Sequence, residues 1–276
     1  MKHTPLVLFD RDLVARVSPG KRDKVLWLHG YTIDSSAWSE LWELLPDWDH
    51  TGIDLPGHGY SLPLPASENL PSLARRVARS ALARGIEHIA ALSFGTLLGL
   101  QIIIEFPDSF RSLTLGAPAL GGGPQDSDVG ARYEELAAIY RREGFTPELR
   151  RLWMQSPPNI FKGAEAHPAL WNRLWRMVGK HPWWELQDGS YGRLSNHRQS
   201  VEQLRNSPTP TLVLVGDNEL PAFKRCGELI RRYLPNCERR YLPSLGHLCL
   251  LEDPRAVHNI LEEHWTAHSR KLEAYA

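Results

Sequence analysis

Short apolar runs alternate along the chain with longer segments of helical periodicity, and this alternation limits the possible folds more than any other feature of the sequence. Alternating strand and helix signals are typical of a mostly parallel, twisted sheet that is covered by helices on both faces. The sequence therefore predicts an α/β fold. The six runs assigned to this sheet are VLWLH (25–29), HTGID (50–54), HIAAL (88–92), SLTLG (112–116), TLVLV (211–215) and CERRYL (237–242).

Two further runs near the N-terminus predict an antiparallel edge. PLVLFD (5–10) and DLVARV (12–17) are separated so closely that we expect them to form a hairpin. Further along, residues 69–84 place apolar side chains on one helical face and arginines on the other, and Gly85 follows as a helix stop. We therefore expect amphipathic helices to pack against a sheet that has a hairpin at one edge.

Residues 119–210 interrupt this alternation. They contain no convincing strand, several helical stretches, many prolines and five of the ten tryptophans. Glycines and short polar residues open the interval, and a stretch with two prolines closes it just before the next strand. We expect residues 1–118 and 211–276 to form the α/β core, and residues 119–210 to form a helical lid inserted before the strand at 211–215.

Charge and cysteine content narrow the possible partners. Lys and Arg together number 32, as do Asp and Glu, and neither sign forms a long block, so we expect no nucleic-acid and no membrane partner. A small-molecule substrate is expected instead, and the oligomeric state stays open.

The N-terminal apolar run is too short for a signal sequence or a membrane span, which predicts a cytoplasmic protein. Cys226, Cys237 and Cys249 lack C-x-x-C spacing, which predicts reduced thiols and no metal site.

Ser93 lies in the segment A-L-S-F-G, directly after one strand run and directly before a helical run. A sharp strand-to-helix turn at this point would strain the serine backbone, raise the hydroxyl above the sheet and require small residues two positions away on either side. Ala91 and Gly95 are both small, although glycine is the usual residue at the first of these positions. The competing interpretation is that Ser93 only caps the helix, since serine is a common N-cap.

A carboxylate and a histidine follow Ser93 in the chain order expected for a serine nucleophile of this kind. His247 follows the last predicted strand at a glycine-containing turn, where its side chain would project over the same sheet edge as Ser93. Asp217 and Glu219 come just after the strand at 211–215, and one of them is expected to orient the histidine.

Two backbone N–H groups are candidates for an oxyanion hole. Phe94 opens the helix after Ser93, and a helix N-terminus carries free N–H groups and a partial positive charge. The segment H-G-Y-T (29–32) follows an earlier strand, and Tyr31 would offer the second N–H group from this loop. His29 is expected to brace the loop and not to act as the base.

Together these segments resemble the lidded α/β-hydrolase superfamily. The resemblance rests on H-G-Y, D-L-P-G-H-G-Y-S (54–61), S-x-G, G-x-x-E and G-H-x-x-x-x-E-D-P, and it covers nearly the whole chain, most weakly residues 119–210. It implies that Glu219 is the acid in preference to Asp217, and that His58 only shapes a turn. The serine nucleophile distinguishes the chain from haloalkane dehalogenases and epoxide hydrolases of this fold, which use aspartate.

The expected chemistry is hydrolysis of a carboxylic ester, lactone or thioester through an acyl-enzyme on Ser93, with His247 as base and no metal or organic cofactor. Trp153, Trp175 and Trp183 of the lid are expected to line the substrate pocket and to favour an apolar or aromatic substrate, unless they only pack the lid helices together. Relatives use the same triad for carbon–carbon bond cleavage or elimination, which is the competing enzymatic function. A non-catalytic binding protein of this fold is the third hypothesis.

Overall fold

A computed structural model describes residues 4–269, and within them eight strands form one sheet. Residues 1–3 and 270–276, at the ends of the predicted core segments 1–118 and 211–276, lie outside the described residues. The strands are β1 (Leu6–Asp10), β2 (Leu13–Ser18), β3 (Lys24–Leu28), β4 (Asp49–Ile53), β5 (Ile86–Leu92), β6 (Ser112–Gly116), β7 (Thr211–Gly216) and β8 (Cys237–Leu242).

The strand order in the sheet is β1-β2-β4-β3-β5-β6-β7-β8. The β1–β2 and β2–β4 pairs are antiparallel, and every other neighbouring pair is parallel. The prediction of a mostly parallel α/β sheet with a hairpin at one edge is confirmed. The carboxyl ends of β3, β5, β7 and β8 consequently lie at one edge of the sheet, where the loops that follow them meet.

The described chain contains twelve α-helices. They are α1 (Ser39–Leu44), α2 (Leu70–Ala83), α3 (Phe94–Glu105), α4 (Ser127–Glu143), α5 (Pro147–Met154), α6 (Pro168–Lys180), α7 (Glu185–Asp188), α8 (Ser190–Ser195), α9 (Val201–Arg205), α10 (Pro221–Tyr233), α11 (Cys249–Glu252) and α12 (Pro254–His268). Two 3-10 helices, Ser35–Trp38 and Lys162–Ala166, precede α1 and α6. The helix predicted over 69–84 is α2, and Asn69 caps its N-terminus through the Ser72 N–H.

Successive strand residues point to opposite faces of the sheet, and each face has its own apolar core. In β3, Val25 and Trp27 join a cluster that includes residues of α1 and α12. Leu26 and Leu28 join a second cluster that includes residues of α2, α3 and α10. Helices therefore cover both faces, and the central strands read as continuous apolar runs because both of their faces are buried.

Helices α4 to α9 all lie between β6 and β7, and residues 117–210 of the described chain contain no strand. Leu149 and Trp153 of this interval belong to the same apolar cluster as Trp27 in the sheet. The interval therefore packs directly onto the core of the sheet. Its assignment as a separate lid over residues 119–210 stays a prediction.

A cluster of charges holds the N-terminal hairpin to α2. The Arg76 side chain is 8% exposed, and its guanidinium lies 3.2 Å from Asp10, 2.5 Å from Asp12 and 2.9 Å from Glu68. Asp10 ends β1, Asp12 lies in the turn before β2, and Glu68 lies just before α2. One arginine thus joins three segments at this edge of the sheet.

Replacing Arg76 with alanine is expected to lower the free energy of unfolding by about 3 kcal/mol, because three partly buried carboxylates lose their counter-ion. Arg75→Ala is the matched control, since that side chain is 45% exposed and pairs with Glu105 near the surface. We expect the control to lose less than about 1 kcal/mol. Urea denaturation of both variants measures the difference, and equal losses would contradict the role assigned to Arg76.

Candidate active site

Ser93 occupies the turn between β5, which ends at Leu92, and α3, which begins at Phe94. Its backbone has φ 51° and ψ −119°, a conformation that residues other than glycine rarely adopt. The Ser93 N–H donates to the carbonyl oxygen of Gly116 at 2.9 Å, which ties the turn to the end of β6. The Ser93 side chain makes no capping hydrogen bond to α3, so its hydroxyl does not serve as an ordinary helix cap.

Close packing explains both small residues that flank the serine. A Cβ atom at Gly95 would lie 2.5 Å from the carbonyl oxygen of Leu28 and 2.6 Å from that of His29, so only glycine fits there. On the other side, a Cβ atom at Gly99 would lie 3.4 Å from the Ala91 Cβ. Alanine is therefore accommodated at position 91 because α3 presents a glycine opposite it.

The structure brings Ser93, His247 and Glu219 together. The Ser93 Oγ atom lies 2.7 Å from His247 Nε2, and His247 Nδ1 lies 2.8 Å from Glu219 Oε1. The side chains of His247 and Glu219 are fully buried. Asp217, the alternative acid, is exposed at the surface, and it is Glu219 that contacts the histidine.

The contact with Glu219 determines what the imidazole can do. A carboxylate only accepts hydrogen bonds, so His247 Nδ1 carries the proton and Nε2 presents a lone pair to the Ser93 hydroxyl. An imidazole in this tautomer can take the hydroxyl proton as the oxygen attacks an electrophile. The carboxylate then stabilises the imidazolium that results.

A second buried carboxylate, Glu252, holds the loop that carries His247. Its Oε2 atom accepts from the Gly246 N–H at 2.5 Å, and its Oε1 atom accepts from the Leu248 N–H at 3.0 Å. Burial raises the pKa of Glu252, although these two N–H donors oppose the rise. A Cβ atom at Gly163 would lie 2.2 Å from this carboxylate, so the 3-10 helix before α6 also packs against it. The role of Glu252 was not expected from the sequence, although it is the acidic residue of the motif G-H-x-x-x-x-E-D-P.

The two candidate oxyanion donors belong to segments that lie next to the serine. Phe94 is the first residue of α3, and the first N–H groups of a helix have no partner within it. Gly30 lies beside the serine, since a Cβ atom there would be 3.5 Å from the Ser93 Cβ, and Tyr31 follows it. Tyr31 and Phe94 both line the cavity above Ser93.

His29 and His58 brace the loops behind the site. His29 Nε2 accepts from the Leu55 N–H at 2.9 Å, and His58 Nε2 accepts from the Thr32 N–H at 3.1 Å. The Nδ1 atom of each ring lies within hydrogen-bonding distance of a backbone carbonyl oxygen, to which it donates. Burial lowers the pKa of both histidines, so the neutral rings are favoured. Both side chains thus lie where a structural role was expected.

A cavity of about 460 Å³ opens onto Ser93 and His247. Its described lining includes the acidic residues Asp126 and Glu134 and contains no Lys or Arg. Seven of the 25 described lining residues are aromatic, which favours a neutral ligand with apolar or ring groups. The aromatic residues of the lining are Tyr31, Phe94, Tyr133, Trp153, Phe161, Tyr191 and Phe223.

Of the three tryptophans predicted for the pocket, the structure places Trp153 in the cavity wall. The prediction is wrong for Trp175 and Trp183, which do not line the cavity. Trp175 stacks on Trp171 and lies under the Arg150 guanidinium, 4.1 Å from it. Trp183 is fully buried against His181, with ring centroids 4.9 Å apart. Large aromatic side chains are as useful for packing helices as for lining a pocket, and these two do the former.

Two tyrosines line the cavity, whereas two of the tryptophans expected there do not. Tyr191 stacks on Phe94 with ring centroids 5.3 Å apart, and Tyr133 stacks on Tyr191 at 4.4 Å. Neither tyrosine was among the pocket residues expected from the sequence. Their residue type could have indicated this position, because tyrosine has an apolar ring and a polar hydroxyl and therefore suits the wall of a cavity that is open to water.

Other features of the described chain bear on cofactors and on the membrane. The three cysteines are free, as predicted. No group of three or more His, Cys, Asp or Glu residues within 4–269 is arranged to hold a metal ion. None of the helices in that part of the chain combines the length and the apolar character needed to cross a membrane.

Comparison with known proteins decides the family. The model of the alpha/beta hydrolase family matches residues 25–260. The chain belongs to the alpha/beta hydrolase family. The resemblance read from its motifs is therefore confirmed, and the family assignment supports an enzyme of the hydrolase type.

Several known proteins are similar to most of this chain. A putative 2-succinyl-6-hydroxy-2,4-cyclohexadiene-1-carboxylate synthase of Bacillus subtilis is 24% identical over 283 residues, covering 93% of this chain and 95% of that protein. The dihydrolipoyllysine-residue acetyltransferase component of the acetoin cleaving system of Cupriavidus necator is 33% identical over 253 residues, which cover 89% of this chain and 64% of that protein. Among solved structures, a thermophilic esterase from Thermogutta terrifontis has a TM-score of 0.76 at 23% identity, covering 93% of this chain and 95% of that one.

Glu252→Gln is expected to lower the free energy of unfolding by about 2 kcal/mol. Glutamine has only one acceptor oxygen, so its NH₂ group would face the N–H of Gly246 or of Leu248. Glu262→Gln is the matched control, because Glu262 is 42% exposed and pairs with Arg22 at the surface; its expected cost is below about 1 kcal/mol. Both values come from urea denaturation. A loss in Glu252→Gln as small as in the control would show that Glu252 does not brace the histidine loop.

Proposed function

We propose that this protein is a serine hydrolase that cleaves a carboxylic ester, lactone or thioester of a small substrate through an acyl-enzyme on Ser93. The observation that carries the proposal is the continuous chain of contacts from Ser93 Oγ to His247 Nε2 and from His247 Nδ1 to Glu219 Oε1, at 2.7 and 2.8 Å. Membership of the alpha/beta hydrolase family supports it.

The reaction begins when Ser93 Oγ attacks the carbonyl carbon of the substrate and His247 Nε2 takes the hydroxyl proton. The carbonyl oxygen becomes an oxyanion that accepts hydrogen bonds from the backbone N–H groups of Tyr31 and Phe94, each worth roughly 3 kcal/mol in comparable sites. The tetrahedral intermediate collapses, and the imidazolium gives its proton to the leaving alcohol or thiol. Water then attacks the acyl-enzyme, with His247 again as base, and releases the acid and the free serine. Glu219 orients the ring throughout.

The cavity supports an apolar or aromatic substrate of modest size. Its volume of about 460 Å³ falls within the range of small-molecule sites, and its wall includes seven aromatic side chains. Asp126 and Glu134, without a Lys or Arg in the described lining, favour neutral acyl and alcohol groups over anionic ones. A small-molecule partner and a cytoplasmic location remain the expectations for this protein.

Elimination or carbon–carbon bond cleavage by the same triad is the second candidate function. The similarity to the Bacillus subtilis synthase favours it, since that protein covers 93% of this chain. The product in the synthase's name is a carboxylate, and a cavity without a described cationic side chain offers no counter-ion to such a group. The ester hydrolase is therefore the function that the cavity supports better.

Incubation with a fluorophosphonate probe is expected to label the wild-type protein at Ser93, because the activated hydroxyl attacks phosphorus as it would a carbonyl carbon. Ser93→Ala should remain unlabelled, whereas Ser109→Ala, at an exposed serine, should label fully. A panel of p-nitrophenyl esters of rising acyl length then tests turnover. Labelling without turnover of any ester would support elimination or carbon–carbon cleavage, and an unlabelled wild type would support a binding protein.

Glu219→Gln is expected to lower kcat for a p-nitrophenyl ester by about 10³- to 10⁴-fold, because the amide no longer stabilises the imidazolium and can favour the wrong tautomer. Asp217→Asn is the matched control, two residues away and exposed, and should stay within about 2-fold of the wild type. Steady-state kinetics on both variants measures the difference. Full activity in Glu219→Gln would exclude Glu219 as the acid.

A further inference from the structure

The oxyanion loop, which we define as residues 29–32, is bound by the helical interval between β6 and β7 at two points. The Tyr31 phenol donates a hydrogen bond to Glu185 Oε1, 154 residues away in the chain. The Trp153 Nε1–H donates to Thr32 Oγ1 at 2.7 Å. The loop that presents the Tyr31 N–H therefore depends on side chains from a distant part of the sequence.

Glu185 is a buried carboxylate that the ester chemistry does not use. It is 6% exposed, and His181 Nε2 lies 2.9 Å from the same Oε1 atom that the phenol contacts. Burial raises the pKa of Glu185, but the nearby His181 and the hydrogen bonds from His181 and Tyr31 outweigh that effect and hold the pKa below its ordinary value. The group is therefore ionised near neutral pH, and an ionised carboxylate is a strong acceptor for the phenol.

The same cluster also contacts the loop through a second histidine, His58. The His181 ring packs on His58 with centroids 4.5 Å apart, and His58 Nε2 accepts from the Thr32 N–H. Thr32 has φ 64°, a left-handed conformation that costs energy for a residue with a Cβ atom and persists only where neighbours hold it. Its hydroxyl also donates to the Tyr31 carbonyl oxygen at 2.7 Å. Hydrogen bonds with His58 and Trp153 thus help to hold Thr32 in its strained conformation.

We propose that Glu185, together with His181, is a positioning residue for the oxyanion hole: it holds the Tyr31 phenol so that the Tyr31 backbone N–H stays directed at the reacting oxygen. This inference rests on the proposed function, since it concerns an oxyanion formed at Ser93. Glu185 does not line the cavity, so its effect passes through Tyr31 and not through contact with substrate. The helical interval then acts as a fixed support of the catalytic machinery in addition to forming the cavity wall.

The test compares Tyr31→Phe, Glu185→Ala and Glu185→Gln on p-nitrophenyl butyrate and on the corresponding thionoester. Tyr31→Phe and Glu185→Ala should lower kcat for the oxygen ester about 10- to 100-fold with KM within about 3-fold, because a misplaced donor costs transition-state stabilisation. The thionoester should lose less than about 3-fold, since its sulfur accepts hydrogen bonds weakly and gains little from the donor. Glu185→Gln should recover to within about 5-fold of the wild type, because the amide oxygen can still accept from the phenol.

Two matched controls lie in the same helical interval. Tyr140→Phe removes the same atom from a partly buried tyrosine of α4 that does not line the cavity, and Glu148→Gln changes a surface carboxylate paired with Arg151. Both should keep wild-type kinetics. Thermal unfolding of every variant identifies any loss of fold. If Glu185→Ala does not fold, the conclusion rests on Tyr31→Phe, which removes only one oxygen atom.

Rates of fluorophosphonate labelling separate failure of this inference from failure of the proposed function, since the phosphoryl oxygen occupies the same hole. A wild-type protein that is not labelled refutes the proposed function itself. A labelled wild type, with Tyr31→Phe and Glu185→Ala labelled at the same rate, refutes the positioning role alone. Equal losses on the oxygen ester and the thionoester also refute it, because they would show general damage to the site.

Discussion

The first turn of α3 lies so close to the end of β3 that position 95 has no room for a side chain. This approach brings Ser93 alongside Gly30 and aligns the start of the helix with the oxyanion loop. The positive φ of Ser93 follows from the same sharp turn, and the hydrogen bond to Gly116 holds it. Because backbone packing fixes the position of Ser93, the groups around it need only be placed relative to this residue. The loops that carry Tyr31, Glu219 and His247 each follow the end of a parallel strand.

Two buried carboxylates position His247 relative to Ser93, one through its side chain and the other through its backbone. Glu219 contacts the His247 ring, and Glu252 accepts the two N–H groups on either side of it, so the histidine is held both by its side chain and by its backbone. A buried carboxylate is costly unless its oxygens are satisfied, and backbone N–H donors provide that satisfaction without mobile side chains. The position of His247 is therefore set by buried contacts within the protein.

Much of this arrangement could be predicted from the sequence, because local rules govern it. The central strands are short runs buried on both faces, and Ser93, Glu219 and His247 each follow a strand end, where parallel topology brings side chains together. The predictions that were wrong or absent concern side chains whose positions depend on tertiary packing. Nothing local distinguishes Trp175, which packs helices, from Trp153, which lines the cavity, and no periodicity indicates that Glu185 lies against Tyr31. Alanine replaces the usual glycine of the motif at position 91. The residue that accommodates it is Gly99, eight positions further along the chain in the facing helix.

The Tyr31–Glu185 hydrogen bond also has an evolutionary consequence. The two partners lie on segments that could be exchanged separately between related proteins, since one belongs to the loop after β3 and the other to α7. A chimera that received a foreign helical segment without the carboxylate would bury a phenol donor with no acceptor, at a cost of about 1 to 3 kcal/mol. The two positions are therefore inherited most easily as a pair, and homologues should show correlated substitutions at them.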